Sequence, residues 1–208
     1  RHTGFPIIPA TSLKGTFADS WNDDLLEESN EKGESKWVRV RKDGTATDAA
    51  WLFGSDSDKH PAAGVLQFSE ARLLAFPIRS AKGCFAWITC PLILQRAARD
   101  GVFPGIKADG KPDPDYLPAT EPADEEGVWS GETLNLSDQV VLEEYTFKRV
   151  KDGQYDVEIP SKLAGALAAP LSDDPVWTEV ASRLVILSNG MTSFFAQNAC
   201  EVAQHVRI

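Results

Sequence analysis

The sequence of 208 residues predicts an α+β fold, in which helices cover one face of a sheet and loops are inserted between the elements. Three observations lead to this prediction. Short alternating segments typical of strands and longer segments typical of helices follow one another along the chain. They do so without the regular spacing of βαβ units. A stretch rich in Pro, Asp and Gly, at residues 103–131, then interrupts them.

The chain begins with an apolar run that two prolines interrupt. Residues 5–8 predict a strand or an extended segment. Pro6 and Pro9 exclude a central position in a sheet, because each lacks the backbone donor that a strand ladder needs. A helix follows this run, and Thr11 or Ser12 is a suitable N-cap for it.

Lys14 lies in the first turn of this helix, which we expect to continue to residue 28. The helix dipole disfavours a cation in the first turn, whereas the free N–H groups of that turn bind phosphate. Lys14 therefore indicates a nearby anion, or else it is the solvated lysine of a plain surface helix. The local chemistry alone favours the second interpretation.

The remaining elements follow from apolar patterns and from the residues at their boundaries. Residues 37–41 alternate apolar and basic side chains, as an exposed strand does, or they end a helix. Residues 49–55 form a short helix or turn closed by Gly54. Pro91 opens a helix that ends before Gly101. Further helices are predicted at 160–169, 175–183 and 189–197. Strands are predicted at 64–76, 83–89, 183–188 and 199–208, with one or two more within 134–150. Polar loops or turns are predicted at 29–35, 43–48, 55–64 and 152–155.

Composition excludes several classes of protein. No apolar run approaches the length needed to span a membrane, and no signal peptide is evident. The three cysteines, Cys84, Cys90 and Cys200, lack CxxC spacing, which favours a cytoplasmic protein with buried free thiols. The three histidines are too scattered to predict a histidine-based metal site.

The net charge of −10 comes from one part of the chain. Residues 108–147 hold eleven acidic residues and one lysine, while the other 20 acidic residues are balanced by 20 basic ones. Residues 1–18 and 71–99 contain no acidic residue, and residues 36–42 form a basic strip. Exposed charges farther apart than a Debye length are largely screened, so local basic faces can still bind a polyanion.

Common catalytic motifs are absent from the sequence, which contains no GxSxG, Walker loop, GxGxxG or HExxH. Acidic residues stand side by side at several places, and neighbouring side chains on a helix or strand point in different directions. We therefore interpret these pairs as solvated surface. They are Asp23–Asp24, Glu27–Glu28, Glu125–Glu126, Glu143–Glu144 and Asp173–Asp174.

Three stretches, taken in order, resemble the RAMP superfamily of CRISPR RNA-binding proteins. They are PIIPATSLKGTFAD (residues 6–19), WLFGSD (51–56) and the segment 63–96. Within the last of these, ARLLAFPIRS followed by FAWITCP resembles the repeated backbone subunit of the type III-B Cmr effector complex. LEEYTF at 142–147 and the closing CEVAQHVRI also fit that family.

The resemblance implies a ferredoxin-like, RRM-type core sheet covered by helices, with inserted loops or thumb-like segments. It also implies that the SLKG turn begins the first helix and lies against the guide RNA backbone. Lys14 then supplies charge, Gly15 permits close approach, and the helix start supplies N–H donors. For Arg72 and Arg79, phosphate binding and a plain position at a sheet edge are equally supported. The expected RNA-binding residues are Thr11, Ser12, Lys14, Gly15, Arg72 and Arg79.

The resemblance further implies a target-RNA-cleaving ribonucleoprotein of the cytoplasm. Its cofactor is a divalent metal, magnesium or manganese. Its partners are guide RNA, complementary target RNA, other copies of the same subunit and other effector subunits. The family's catalytic aspartate lies in a loop just upstream of the position of Arg1. No catalytic or metal-binding residue is therefore assigned within the chain, and we expect Asp19 to face solvent.

The chain begins with arginine, and its only methionine is Met191. We therefore interpret residues 1–208 as a single RAMP domain fragment with segments missing at both ends and an acidic insertion at about 103–132. We expect residues 108–132 to lie on the surface, away from guide RNA. We also expect residues 1–208 alone to cleave RNA poorly.

Two alternatives to a target-cleaving subunit remain. One is a non-catalytic RAMP scaffold that organises guide RNA and neighbouring subunits. The weaker one is a guide-processing endonuclease that uses histidine, since His2 and His60 lack an evident partner. Four aromatic residues could stack on RNA bases, although the strand pair Phe85 and Trp87 fits the core better. The four are Trp51, Phe53, Phe85 and Trp87.

Overall fold

The computed structural model describes residues 4–21, 26–29, 33–39, 45–55, 57, 61–150, 158–169 and 179–199. They belong to two compact units. The small unit spans Ile7–Arg72, and the barrel unit consists of Arg1–Pro6 together with Leu73–Ile208. Whether both belong to a single domain stays a prediction. No helix among the described residues is long and apolar enough to cross a membrane.

Within its described residues, the small unit contains two helices and three pairs of short antiparallel strands. Strand β1 (Ile7–Ile8) pairs with β6 (Ala71–Arg72), β2 (Leu26–Ser29) with β3 (Ser35–Val38), and β4 (Gly54–Ser55) with β5 (Ala62–Ala63). The helices are α1 (Ala10–Ser20) and α2 (Asp48–Phe53). Their core is built on Ala18, Ala49 and Phe53, and the ring of Phe68 stacks on that of Phe53 with centroids 6.0 Å apart.

Helix α2 confirms the short helix predicted from the sequence. Thr47 caps its start, because the Thr47 hydroxyl oxygen accepts a hydrogen bond from the Ala50 N–H at 3.1 Å. Gly54 ends it with a φ of +94°, a conformation that a residue with a Cβ rarely adopts. The local signals that define this helix lie within eight residues of one another.

The prediction that the first helix continues to residue 28 is wrong. Helix α1 ends at Ser20, and Trp21 already has extended dihedral angles. Leu26–Ser29 instead pairs with Ser35–Val38, so strand pairing supplies backbone partners and overrides helical propensity. A strand and the end of a helix were both predicted, as alternatives, for the segment that begins at Trp37. The same pairing makes it a strand, which ends at Val38.

The barrel unit is built on six strands that close into a barrel in the order β10-β11-β9-β12-β8-β7. The neighbours β9/β11 and β8/β12 are parallel, and the other four pairs are antiparallel. The strands are β7 (Phe76–Ser80), β8 (Cys84–Thr89), β9 (Glu126–Trp129), β10 (Gln139–Leu142), β11 (Tyr145–Arg149) and β12 (Leu184–Ile186). The helices are α3 (Pro91–Arg99), α4 (Ile159–Ala168), α5 (Val180–Arg183) and α6 (Asn189–Asn198).

Most of these elements were predicted. Strands β8 and β12, both strands within 134–150, and helices α3, α4 and α6 are confirmed. The predicted single strand at 64–76 is wrong, because Ala71–Arg72 and Phe76–Ser80 are separate strands with different partners. The predicted turn at 152–155 and the strand at 199–208 lie outside the described residues, apart from Ala199.

Beside a small cluster of Phe5, Cys90 and Ile93, two large apolar clusters fill the barrel unit. One contains the large rings of Trp129, Phe147 and Phe195, and the other packs α3 and α4 against β12. Strand β12 contributes to both, with Leu184 and Ile186 in one and Val185 in the other. All three of its side chains are therefore buried, which is why its sequence is an unbroken apolar run.

Part of the predicted acidic insertion belongs to this core. Phe103 and Leu117 pack with the residues of α3 and α4. Glu126–Trp129 is a strand of the barrel, and Trp129 is only 1% exposed. The sequence alone predicts a loop here because the pairing partners of this strand, β11 and β12, are distant in sequence.

Candidate nucleic-acid interface

The start of α1 is set by Pro9. This residue occupies the N-cap position with φ −59° and ψ 145°, and the first helical hydrogen bond runs from the Leu13 N–H to the Pro9 carbonyl at 3.1 Å. The predicted N-cap at Thr11 or Ser12 is therefore wrong, because both residues lie inside the first turn. The N–H groups of Ala10, Thr11 and Ser12 have no acceptor within a helix that begins here.

Four of the expected RNA-binding residues lie on this first part of α1. Thr11, Ser12 and Lys14 are exposed. A Cβ added to Gly15 would meet no atom within 4 Å. Residues three or four apart lie on the same face of a helix, so Thr11, Lys14 and Gly15 share one face. This part of α1 thus combines a lysine, hydroxyl groups, N–H donors and an unobstructed stretch of backbone. Such a combination is suited to binding phosphate.

Arg72 also belongs to the small unit. It pairs with Ile7 on the strand that leads through Pro9 into α1. Its Nε lies 3.2 Å from Oε1 of Glu70, and the two side chains are 45% and 42% exposed. Exposed ion pairs contribute about 0–1 kcal/mol, so a phosphate could compete with Glu70 for this guanidinium.

Arg79 lies on β7 of the barrel unit and makes a fork-like ion pair with Glu143. Its Nη2 donates to Oε2 of Glu143 at 2.6 Å, and its Nε lies 3.0 and 3.1 Å from the two carboxylate oxygens. These hydrogen bonds hold the pKa of Glu143 below its ordinary value. The interpretation of the pair Glu143–Glu144 as solvated surface is thus wrong for Glu143, whose side chain is 13% exposed.

The same contact joins the two edge strands that close the barrel. Leu142 of β10 stands opposite Ser80 of β7, and the Glu143 N–H donates to the Arg79 carbonyl at 3.0 Å. Glu143 itself has a φ of +51°, in the left-handed region, where a residue with a Cβ is strained. The ion pair and the backbone hydrogen bond hold it there. Arg79 thus has a structural partner that the sequence did not reveal.

The four aromatic residues considered for base stacking differ in exposure. Phe53 is 6% exposed and belongs to the core, whereas Trp51 is 62% exposed. Phe85 and Trp87 are half-buried, and the guanidinium carbon of Arg183 lies 4.7 Å from the centre of the Phe85 ring. Of these four residues, Trp51 is the one that presents a large open surface.

The cysteines differ from the prediction of buried thiols. Cys90 is fully buried, and burial raises its pKa to about 11. Cys84 is exposed, because it follows the turn that joins β7 and β8. Cys200 lies outside the described residues.

Carboxylates do not gather into a metal site in the part of the chain that the structure describes, where no group of three His, Cys, Asp or Glu side chains could hold an ion. The Asp19 side chain is 85% exposed, as expected, and lies 3.9 Å from Arg39. Glu70 is paired with Arg72. These residues do not fit a divalent metal, and we place no metal-dependent step on them.

Ser188 caps the start of α6, and two carboxylates that sequence reasoning missed lie beside it. The Asn189 N–H and side-chain amide each donate to Glu121 at 2.6 Å, and the Ser188 hydroxyl donates to Asp124 at 2.6 Å. The anion-binding end of α6 is thus occupied by the protein's own carboxylates. The first turn of α1, like that of α6, contains no acidic residue, but it carries Lys14, and within the described residues no carboxylate accepts a hydrogen bond from it.

Comparison with known proteins agrees with the motifs. A sequence profile described as the RAMP superfamily matches residues 1–206. The curated protein "CRISPR system Cmr endoribonuclease Cmr4" from Pyrococcus furiosus is 28% identical over 209 aligned residues. The match covers 100% of this chain and 61% of that relative.

Solved structures give the same result. The structure titled "Crystal structure of oligomeric Cmr4 from Pyrococcus furiosus" superposes with a TM-score of 0.65 and 25% identity, over 95% of this chain and 63% of that one. A second Pyrococcus furiosus structure, of "Cmr4 (Cas7)", gives a TM-score of 0.64 and 24% identity, over 96% and 67%. The resemblance predicted from the three motifs is confirmed.

Replacing Gly15 by alanine separates a structural role of this glycine from a binding role. Gly15→Ala should raise the free energy of unfolding by about 0.5–1 kcal/mol, because alanine is the better helix former and the added methyl group meets open space. If RNA approaches the backbone there, the same change should weaken RNA binding. Urea unfolding and titration with a single-stranded RNA measure the two effects.

Gly165 offers a matched control, because it also lies within a helix and its added Cβ would meet nothing within 4 Å. Gly165→Ala should stabilise the protein similarly and leave RNA binding unchanged. RNA binding by Gly15→Ala at the wild-type level would contradict close approach of a ligand to Gly15.

The pair of Arg79 and Glu143 should make stability depend on pH. Because the pKa of Glu143 is lowered in the folded state, its stabilising effect is complete above the ordinary glutamate pKa. It is lost as the pH falls below that value. Glu143→Gln should therefore flatten the acid limb of the stability curve measured by urea unfolding, whereas Glu125→Gln, an exposed control, should not. If Arg79→Ala left stability unchanged, phosphate binding would remain as the role of Arg79.

Proposed function

The chain belongs to the RAMP superfamily, and we propose that it is a guide-RNA-binding backbone subunit of a type III-B CRISPR ribonucleoprotein. Its partners would be guide RNA, complementary target RNA, further copies of itself and other effector subunits in the cytoplasm. Its sheet would be the ferredoxin-like, RRM-type core of that family. The match of the whole of this chain to part of a Cmr subunit supports this proposal.

The start of α1 is the observation that carries the proposal. An exposed lysine, two exposed hydroxyl groups and an unobstructed glycine surround the N–H groups of the first turn. This arrangement can hold a phosphate without reading a base, and contacts to phosphate carry no sequence information. Such a contact suits a protein that must accept guides of any sequence.

We further propose that the whole protein cleaves the bound target RNA with a divalent metal, magnesium or manganese. The relative's name, which calls it an endoribonuclease, supports this part of the proposal. The chain spans about three fifths of the length of that relative, at 61%. The described residues offer no cluster that would hold the metal, so the residues of the chemistry are left unassigned.

The alternative is a scaffold that binds guide RNA and neighbouring subunits without cutting. The ion pairs of Asp19 with Arg39 and of Glu70 with Arg72 favour it, because within the described residues neither carboxylate is placed to act with a second one. Both candidates share the phosphate site on α1, so the binding experiment tests what they have in common.

Lys14→Ala should weaken binding of unrelated RNA sequences about equally, because a phosphate contact does not depend on the base. It should also lower the slope of log affinity against log salt by about one contact. Lys111→Ala is the matched control, since this exposed lysine lies 3.7 Å from Asp109 in the acidic segment. A loss confined to certain RNA sequences, or no loss at all, would disprove the phosphate role.

Target cleavage separates the nuclease from the scaffold. The full-length protein, assembled on a guide RNA, should cut a complementary target in the presence of magnesium or manganese and stop when EDTA is added. Lys14→Ala should reduce cutting at limiting guide concentrations, through binding. Guide binding at full strength with no cutting under any divalent metal would establish the scaffold.

A further inference from the structure

A surface cleft of about 280 Å³ lies in the barrel unit, where the turn between β10 and β11 meets the last turn of α6. Its volume is slightly below the roughly 300–1,000 Å³ of typical small-molecule sites, which suits one side chain better than a cofactor. The residues that matter for its chemistry are Arg79, Glu143, Glu144, Tyr145, Phe194 and Asn198.

One wall of the cleft is aromatic. The rings of Tyr145 and Phe194 lie 5.5 Å apart in an edge-to-face arrangement and are 43% and 39% exposed. Both pack on the buried ring of Phe195, with centroids 5.5 and 5.7 Å away. Contact with Phe195 holds the two exposed rings in place, and the faces of aromatic rings held in this way attract cations.

The charge of the cleft is negative. Arg79 neutralises Glu143, which leaves the exposed carboxylate of Glu144 in excess. The C-terminal end of α6, which carries the negative pole of the helix dipole, also borders the cleft. The Asn198 amide donates to the Phe194 carbonyl at 2.8 Å, so its amide oxygen is the acceptor that remains for a ligand. Carboxylate, dipole and ring faces all favour a cation.

We propose that this cleft binds an arginine side chain of a second copy of the chain. Arginine combines a planar cation that stacks on rings with a fork that matches a carboxylate. A nucleotide fits less well, because the exposed carboxylate of Glu144 would face its phosphate. This inference rests on the proposed function, in which the subunit assembles with itself.

A second copy offers the complementary charge. Among the arginines of residues 71–99, Arg79 lines the cleft itself, whereas Arg99, in the last turn of α3, is exposed and lies outside the cleft lining. A relative that superposes over 95% of this chain was solved as an oligomer. The cleft and the arginine it would receive are different patches of one surface, so the contact is head-to-tail and extends from copy to copy.

Glu144→Lys tests the inference through assembly. In sedimentation velocity with guide RNA present, this variant should associate about tenfold or more weakly than the wild type. The variant still carries the arginine that enters the cleft of another copy, whereas its own cleft no longer accepts one. When it is mixed at a low ratio with the wild type, it should therefore shorten the wild-type assemblies. Glu125→Lys, which makes the same charge change at an exposed residue outside the cleft, should do neither. Phe194→Ala removes a ring without changing the charge and should also weaken assembly.

Titration with N-acetyl-arginine amide tests the cleft directly. It should shift the NMR signals of the Tyr145 ring and the Asn198 side-chain amide, whereas the uncharged citrulline analogue should not. Shifts caused by an oligouridylate instead would overturn the inference in favour of RNA.

Equal assembly of Glu144→Lys and wild type would also overturn the inference, while RNA binding that depends on Lys14 would still support the proposed function. If the wild type neither binds RNA nor assembles, the proposed function fails, and the arginine titration alone decides the cleft.

Discussion

Closure of the barrel depends on one short contact, between β7 and β10. These strands share the single residue pair Ser80 and Leu142, flanked by backbone hydrogen bonds from Glu143 to Arg79 and from Ala81 to Val141. The bidentate pair of Arg79 and Glu143 reinforces this junction from outside. Without it, both strands would present open edges, which are prone to pair with other chains. The strained conformation of Glu143 is tolerated because three hydrogen-bonding groups of Arg79 hold it.

The same junction determines what the barrel surface can bind. Because Glu143 turns inward to Arg79, the next residue of the turn, Glu144, points its charge at solvent beside Tyr145. A two-residue turn between β10 and β11 thus gives one carboxylate a structural role and leaves the other for recognition. Two adjacent glutamates look alike in sequence, and only the register of the strands distinguishes them.

The starts of α1 and α6 show that neighbouring side chains determine whether the positive end of a helix dipole is available to a ligand. The start of α6 is filled by Glu121 and Asp124, which come from a loop more than 60 residues away. The first turn of α1 carries Lys14, and within the described residues no carboxylate accepts a hydrogen bond from that turn. Backbone donors are common to both, so only the second is suited to a phosphate from outside the protein.

The sequence predicted those elements whose signals are local. Gly54, Pro91 and the apolar run of β12 each mark an element by themselves, and those elements are present. Strand β9 and the partner of Arg79 were not predicted, because both depend on residues far away in the chain. Arg79 and Glu143 are 64 positions apart. The site residues on α1 came from a motif, whereas the cap at Pro9 needed the structure, since proline offers no side-chain acceptor.

Net charge is a poor guide to the partner of this protein. The acidic residues that give the chain its charge of −10 are concentrated in residues 108–147, and several of them already meet a donor or a cation of the protein itself. Glu121 and Asp124 accept hydrogen bonds at the start of α6, Glu143 binds Arg79, and Asp115 and Asp138 lie 3.4 and 3.6 Å from Lys162 and Arg149. Carboxylates that are paired in this way repel a polyanion less than their number suggests, and screening shortens the reach of the rest to about 10 Å at 0.1 M salt. An acidic chain can therefore hold an RNA backbone at a helix whose own first turn is free of acid.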